Sequence, residues 1–254
     1  MARIITVANQ KGGVGKTTTA VNLGASLAAA EKTALVVDLD PQGNASSGLG
    51  VDPQNLEMST YEVIINTREP ADGILPTALD YLDVLPASRD LAGAEVELVD
   101  AEHREARLAT ALGKLRSRYE YIIVDCPPSL GLLTLNALCA ADSVIVPLQC
   151  EYYALEGLSR LLETISIITR DLNPSLVVDG VLLTMFDSRT SLSDQVAREV
   201  RQNFQGKVFE TVIPRNVRLS ESPSFGKPAI LYDARSRGSQ GYLDFAREYL
   251  EFRN

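Results

Sequence analysis

Apolar and polar positions alternate along the chain in two different rhythms. Continuous runs of β-branched residues and leucine, four to eight residues long, cover Ile4 to Ala8, Ala34 to Asp38, Leu82 to Pro86, Tyr121 to Asp125, Ser143 to Pro147, Val178 to Met185 and Val208 to Ile213. Such runs predict strands buried on both faces. Between them the apolar positions take helical spacing. Thr19 to Ala30 follows the first strand, Ala106 to Arg118 carries Leu108, Ala111, Leu112 and Leu115, and Ala154 to Leu172 repeats the pattern. Strands alternating with helices predict an α/β fold, a mainly parallel twisted sheet of about eight strands with helices on both faces. Gly43 to Asn55, rich in Gly, Ser, Asn and Pro, reads as a loop able to reorder. The final segment, Gly241 to Phe252, sets Leu243, Phe245, Ala246, Tyr249, Leu250 and Phe252 among charges of both signs. It is expected to pack on the domain, because a membrane-surface helix would need a Lys/Arg-rich polar face.

The first strand runs into QKGGVGKTT, Gln10 to Thr18, at the junction with the first helix. Strand, glycine-rich loop and helix in that order form a phosphate-binding loop. Glycines at Gly12, Gly13 and Gly15 let the backbone curl, so that N–H groups from Gly12, Gly13, Val14, Gly15, Lys16, Thr17 and Thr18 face a phosphate. Lys16 supplies a positive point charge, Thr17 offers its hydroxyl to Mg²⁺, and the helix N-terminus adds its dipole. Two further strands end in acids. LVVDLDPQ places Asp38 and Asp40 after the second strand, and the apolar strand opening YIIVDCPPS ends in Asp125, the Walker B pattern of an Mg²⁺ ligand acting through bound water.

Composition narrows the class. At 254 residues with 45% apolar content the chain fits one large domain, spanning 1–254, without a helix-turn-helix extension before the P-loop. No apolar run approaches 18 residues and no leader precedes the first strand, so a cytoplasmic protein without a membrane partner is expected. Cys126, Cys139 and Cys150 form no C-x-x-C pair, which predicts reduced thiols, and the lone His103 lies in a charged helical stretch as a surface residue. The net charge of −9 opposes indiscriminate nucleic-acid binding. Yet residues 188–237 hold nine Lys or Arg against five Asp or Glu, enough for one basic face.

Gln10 stands where the general motif has its first glycine, and Lys11 follows it. KGGVGKTTTAVNLG, DLDPQGNAS, DCPPSLGLLTLNAL and IPRNVRLSESPSFGKP together resemble the ParA/Soj chromosome-partitioning ATPases, within the ParA/MinD group of P-loop NTPases that carry a deviant Walker A motif. The resemblance implies that Lys11 reaches the nucleotide of a partner subunit in an ATP-sandwich homodimer. It implies that Asp40 positions the attacking water and supports the Mg²⁺ shell, so that Lys11, Lys16 and Asp40 are the catalytic set. Thr17, Asp40 and Asp125 then surround Mg²⁺, D-x-P-P from Asp125 onward is the second switch, and Pro214 and Asn216 meet adenine. The guanine signature N-K-x-D is absent from LLTMFDSR, Leu182 to Arg189, which favours ATP over GTP.

It further implies nonspecific double-stranded DNA binding by the ATP dimer, a nucleoid-associated location, and a ParB/Spo0J-type partner that stimulates slow hydrolysis. Arg189 and Arg218 are the leading DNA contacts, with Arg215, Lys227, Arg235 and Arg237 beside them. Three alternatives stay open on the sequence: a MinD-like membrane-cycling ATPase, an iron–sulfur carrier, and a relative that positions some other cargo with the same chemistry.

Overall fold

The computed structural model describes residues 1–52 and 55–253. The strands are β1 (Arg3–Val7), β2 (Ala34–Asp38), β3 (Leu75–Pro76), β4 (Leu82–Leu85), β5 (Tyr121–Asp125), β6 (Ser143–Gln149), β7 (Val177–Phe186) and β8 (Val208–Pro214). They form one eight-stranded sheet in the order β3-β4-β2-β5-β1-β6-β7-β8. Every pairing is parallel except β3 with β4. The helices in chain order are α1 (Lys16–Ala29), α2 (Asn44–Gly48), α3 (Thr60–Ile64), α4 (Leu91–Glu97), α5 (Arg107–Gly113), α6 (Leu132–Ala140), α7 (Ala154–Asp171), α8 (Ser191–Asn203), α9 (Val217–Glu221), α10 (Ala229–Tyr232) and α11 (Arg237–Arg253).

Successive strand residues point to opposite faces, so each buried strand feeds two cores. Ile4, Leu35, Val37, Ile122 and Val124 join the core covered by α3 through α8. Ile5, Val7, Val36 and Ile123 join the other, closed by α1 and α11. This two-sided burial is why the strands are unbroken apolar runs rather than alternating ones. On α7 the buried residues Leu158, Leu161, Ile165 and Ile168 keep helical spacing. The last helix buries Tyr242, Phe245, Ala246 and Tyr249 against the sheet, as its mixed charge pattern predicts.

Three expectations are corrected. The segment Gly43 to Asn55 is not wholly a loop: α2 forms within it, opened by Gly43 in the left-handed conformation and anchored by buried Ala45 and Ser46. Pro53 and Gln54 of that segment lie outside the described residues. Helix α5 stops at Gly113 rather than Arg118, and the chain continues in turns. His103 is exposed as expected, but it precedes a 3₁₀ turn with φ 52° rather than sitting in an α-helix. Cys126 and Cys150 are buried and Cys139 half-buried, all three as free thiols.

Candidate functional site: a phosphate loop facing three carboxylates

The motif residues meet at the carboxyl ends of the central strands, where ligands of open α/β sheets bind. Val7 at the end of β1 is in register with Asp125 on β5, which in turn is in register with Asp38 on β2. The loop after β1 therefore rises beside both acids. Gly13 (φ 75°) and Gly15 (φ 90°) take left-handed backbone, which a side chain would strain. Gly12 does not have positive φ, so the conformational demand falls on the other two glycines.

The loop is braced from below. Asn9 donates through Nδ2 to the Pro147 carbonyl (2.7 Å) and accepts from Lys11 N–H (3.0 Å). Thr184 on β7 donates to the Val14 carbonyl (2.8 Å), and Lys16 Nζ donates to the Lys11 carbonyl (3.0 Å). Thr184 and Asn9 carry no motif signature, which is why sequence reasoning passed over them.

Charge at this site is concentrated and incompletely satisfied. Lys16 is only 6% exposed, and burial lowers its pKa against the pull of Asp125 and Asp40. Asp125 is fully buried, and neither carboxylate oxygen has a well-formed hydrogen bond among the described residues. Burial, and next the charge of Asp38, push its pKa well above the usual carboxylate range, opposed by Thr17 and Lys16. Asp38 differs. Burial raises it to about 6, but its oxygens accept from Ser46 N–H (2.8 Å), Ser46 Oγ–H (2.7 Å) and Asp40 N–H (3.1 Å). Its role is to hold the Asp40 loop. Asp40 itself is nearly buried and accepts from Gln42 N–H (3.0 Å).

Three acids around one ammonium leave an excess of negative charge, and a buried carboxylate without partners is costly. A divalent cation fits that deficit. Mg²⁺ would be held by the Thr17 hydroxyl and, through water, by Asp125, with substrate phosphates completing its shell.

A cleft of about 430 Å³ runs from the loop toward β8, lined by Gly15, Thr17, Thr18, Asn22, Thr184 and Met185 at one end and Pro214, Arg215, Asn216 and Lys227 at the other. Pro214 and Asn216 thus share a cavity with the phosphate loop. The Asn216 side chain also caps α9 by accepting from Arg218 N–H (2.9 Å). Met185, with φ 50° at the end of β7, is a strained non-glycine residue facing the same cleft, invisible to motif reading.

Lys11 lies outside this cluster. Its side chain is 52% exposed and its ammonium pairs with Glu151, just beyond β6. The six basic residues expected to meet DNA are all exposed. Arg189 is held in a two-point ion pair by Asp187 (2.8 and 2.7 Å), whose pKa it lowers strongly. Arg218 pairs with Glu221 (2.8 Å) and Asp233 (3.4 Å). Arg215 is joined to the end of β7 by a backbone bond to the Phe186 carbonyl (3.0 Å). Arg215 and Lys227 also line the cleft, so these two serve its rim as well as the outer face.

A family model described as an AAA domain matches residues 2–178. The chromosome partitioning protein ParA of Myxococcus xanthus is 60% identical over 251 residues, covering 99% of this chain and 89% of that protein. The chain belongs to the ParA/Soj family. The sporulation initiation inhibitor protein Soj of Bacillus subtilis is 58% identical over 248 residues, covering 98% of each. Among similar solved structures, cobyrinic acid a,c-diamide synthase from Mycobacterium smegmatis, with bound ADP and magnesium, is 42% identical with a TM-score of 0.86, covering 97% of this chain and 93% of that one. The cell division ATPase MinD of Pyrococcus furiosus is 25% identical with a TM-score of 0.80, covering 99% of both.

Proposed function

We propose that this ParA/Soj-family ATPase binds ATP with Mg²⁺ in the cleft, dimerises over the bound nucleotides, and in that state holds duplex DNA without sequence preference during chromosome or plasmid segregation. The observation that carries the reading is the fully buried Asp125 carboxylate, without a well-formed hydrogen bond among the described residues, beside Lys16, Thr17 and the glycine loop. That arrangement is unfavourable empty and favourable around a metal–phosphate group. The solved structure bearing ADP and magnesium supports the same assignment.

In this reading Lys16 and the loop N–H groups cradle the phosphates. Bound Mg²⁺ supplies charge neutralisation as the terminal phosphoryl group is released. Asp40, fixed by Asp38, orients the attacking water. Pro214 packs on the base, and the Asn216 amide reads its edge. Lys11 exchanges Glu151 for the phosphates of a second subunit, which makes the site complete only in the homodimer. No residue in these motifs reads as an arginine finger, so hydrolysis is slow until a ParB/Spo0J-type protein contributes the missing stabilisation. An added arginine finger is worth about 10³ to 10⁵ in rate in other nucleotide hydrolases.

One observation weighs against a membrane-cycling reading. Tyr242, Phe245, Ala246 and Tyr249 of α11 are spent on the domain core rather than offered to a membrane surface. The proposal is tested by sedimentation of the wild type and Lys11→Ala with ATP. The wild type is expected to dimerise and the variant to stay monomeric with ATP affinity intact. An unchanged dimer in the variant would refute the role of Lys11.

A further inference from the structure

The proposed DNA-binding face carries an aromatic feature that phosphate contact does not require. Phe225 closes the 3₁₀ turn Ser222–Phe225 and is 61% exposed, the most exposed of the chain's six phenylalanines. A phenylalanine ring left in water forgoes the free energy of burying it. Its position is nevertheless well defined. One side of the ring packs on Tyr232, with centroids 4.9 Å apart and planes inclined by 31°. The Arg218 guanidinium lies 5.9 Å from the Tyr232 centroid, and the Tyr232 hydroxyl donates to Glu221 (3.3 Å). Gly226, with φ 61°, ends the turn and sits against the Gly50 backbone.

The charge around the ring is mostly positive. From 215 to 237 the chain has five Lys or Arg against two acids, Glu221 and Asp233, and both acids are engaged by Arg218. Lys227 stands two residues from Phe225, and Arg235 two from Asp233, both exposed. A held ring with an open side, among exposed cations, matches the way unpaired bases are bound: the backbone follows the charge and the base stacks on the aromatic.

We propose that Phe225, backed by Tyr232 with Arg218 over it and followed two residues on by exposed Lys227, is a stacking platform for an unpaired base, so that this face binds single-stranded nucleic acid as well as duplex. The proposal rests on the reading of the face as nucleic-acid binding and adds a ligand class to it. In an intact duplex the base faces are covered by their neighbours, so stacking on Phe225 distinguishes the two ligands where phosphate contact does not.

The test uses the full chain with ATP, an oligo-dT of fixed length and a duplex of random sequence. The wild type is expected to bind both. Phe225→Ala is expected to weaken oligo-dT binding about tenfold, within the range measured for removal of a stacked base, while duplex binding and ATP-dependent sedimentation stay as in the wild type. The chain has no tryptophan. Phe225→Trp therefore introduces a single indole, whose fluorescence oligo-dT should quench more than duplex does. Unchanged oligo-dT affinity in Phe225→Ala, with no quenching of the Trp variant, overturns the proposal. So does an equal loss on both ligands, which would make the ring a duplex wedge, or loss of the ATP dimer, which would make it a subunit contact. If the wild type binds duplex but not oligo-dT, the platform fails while the duplex reading stands. If it binds neither, the reading of the whole face falls.

Discussion

Charge is handled in opposite ways around the phosphate loop and among the basic residues proposed to meet DNA. Around the phosphate loop, Asp125 is buried with no well-formed hydrogen bond to either oxygen among the described residues, and buried Lys16 donates to the Lys11 carbonyl. On the basic face, Arg189 is 84% exposed yet fully paired with Asp187, and Arg218 has two carboxylates. Buried unmatched charges are expensive, so they mark a place completed by a ligand. Exposed paired charges are screened by solvent and contribute little each. Individual side chains should therefore dominate around the loop. Among the basic residues, binding should be collective, salt-sensitive and tolerant of single changes.

The sharpest way to break this contrast is Lys16→Ala, which should reduce ATP affinity at least about a hundredfold, since it removes a buried charge-assisted hydrogen bond. Titration calorimetry would measure it, and near-normal affinity would refute the phosphate site. Asp40→Ala should leave nucleotide binding close to wild type while slowing hydrolysis by about 10² or more, the usual scale for a group that handles the proton of attack. Rapid single-turnover hydrolysis in that variant would place water activation elsewhere.

A third expectation concerns pH. Because the Asp125 pKa is raised, a proton competes with the metal at that carboxylate. Mg²⁺-dependent nucleotide affinity should therefore rise with pH, with proton release on binding. Calorimetry in buffers of different ionisation enthalpy reads that release, and Asp125→Asn should abolish it. At the basic face, Arg218→Ala or Arg189→Ala should weaken duplex binding only several-fold and lower the log–log salt slope by about 1 for each phosphate no longer neutralised. Smallest of all, Glu151→Gln frees Lys11 from an exposed ion pair and should tighten the ATP dimer by about two- to fivefold, measurable by sedimentation.

The same contrast marks what could be seen in the sequence. Buried two-sided strands leave continuous apolar runs, so seven strands were legible, and so were Asp38, Asp40 and Asp125 at their ends. The eighth, β3, is two residues at an antiparallel edge and leaves no pattern. Helix α2 is built from Asn, Ala, Ser and Gly, residues of a loop, and owes its existence to Ser46 bonding Asp38 and to burial of Ala45. At the site, the motif residues were readable because their spacing is local. Glu151, Thr184 and Met185 were not, because they meet the loop or its cleft from positions far along the chain. Nor could the carboxylate partners of Arg189 and Arg218 be assigned, since basic residues announce themselves and their pairing does not.

Whether ATP bound at the buried site switches on the exposed basic face is tested most directly by duplex DNA binding of Asp40→Ala with ATP, ADP or no nucleotide across a salt series. Binding only with ATP, falling log-linearly and steeply with salt, is the predicted result. Equal binding in all three nucleotide states, or none in any, would contradict it.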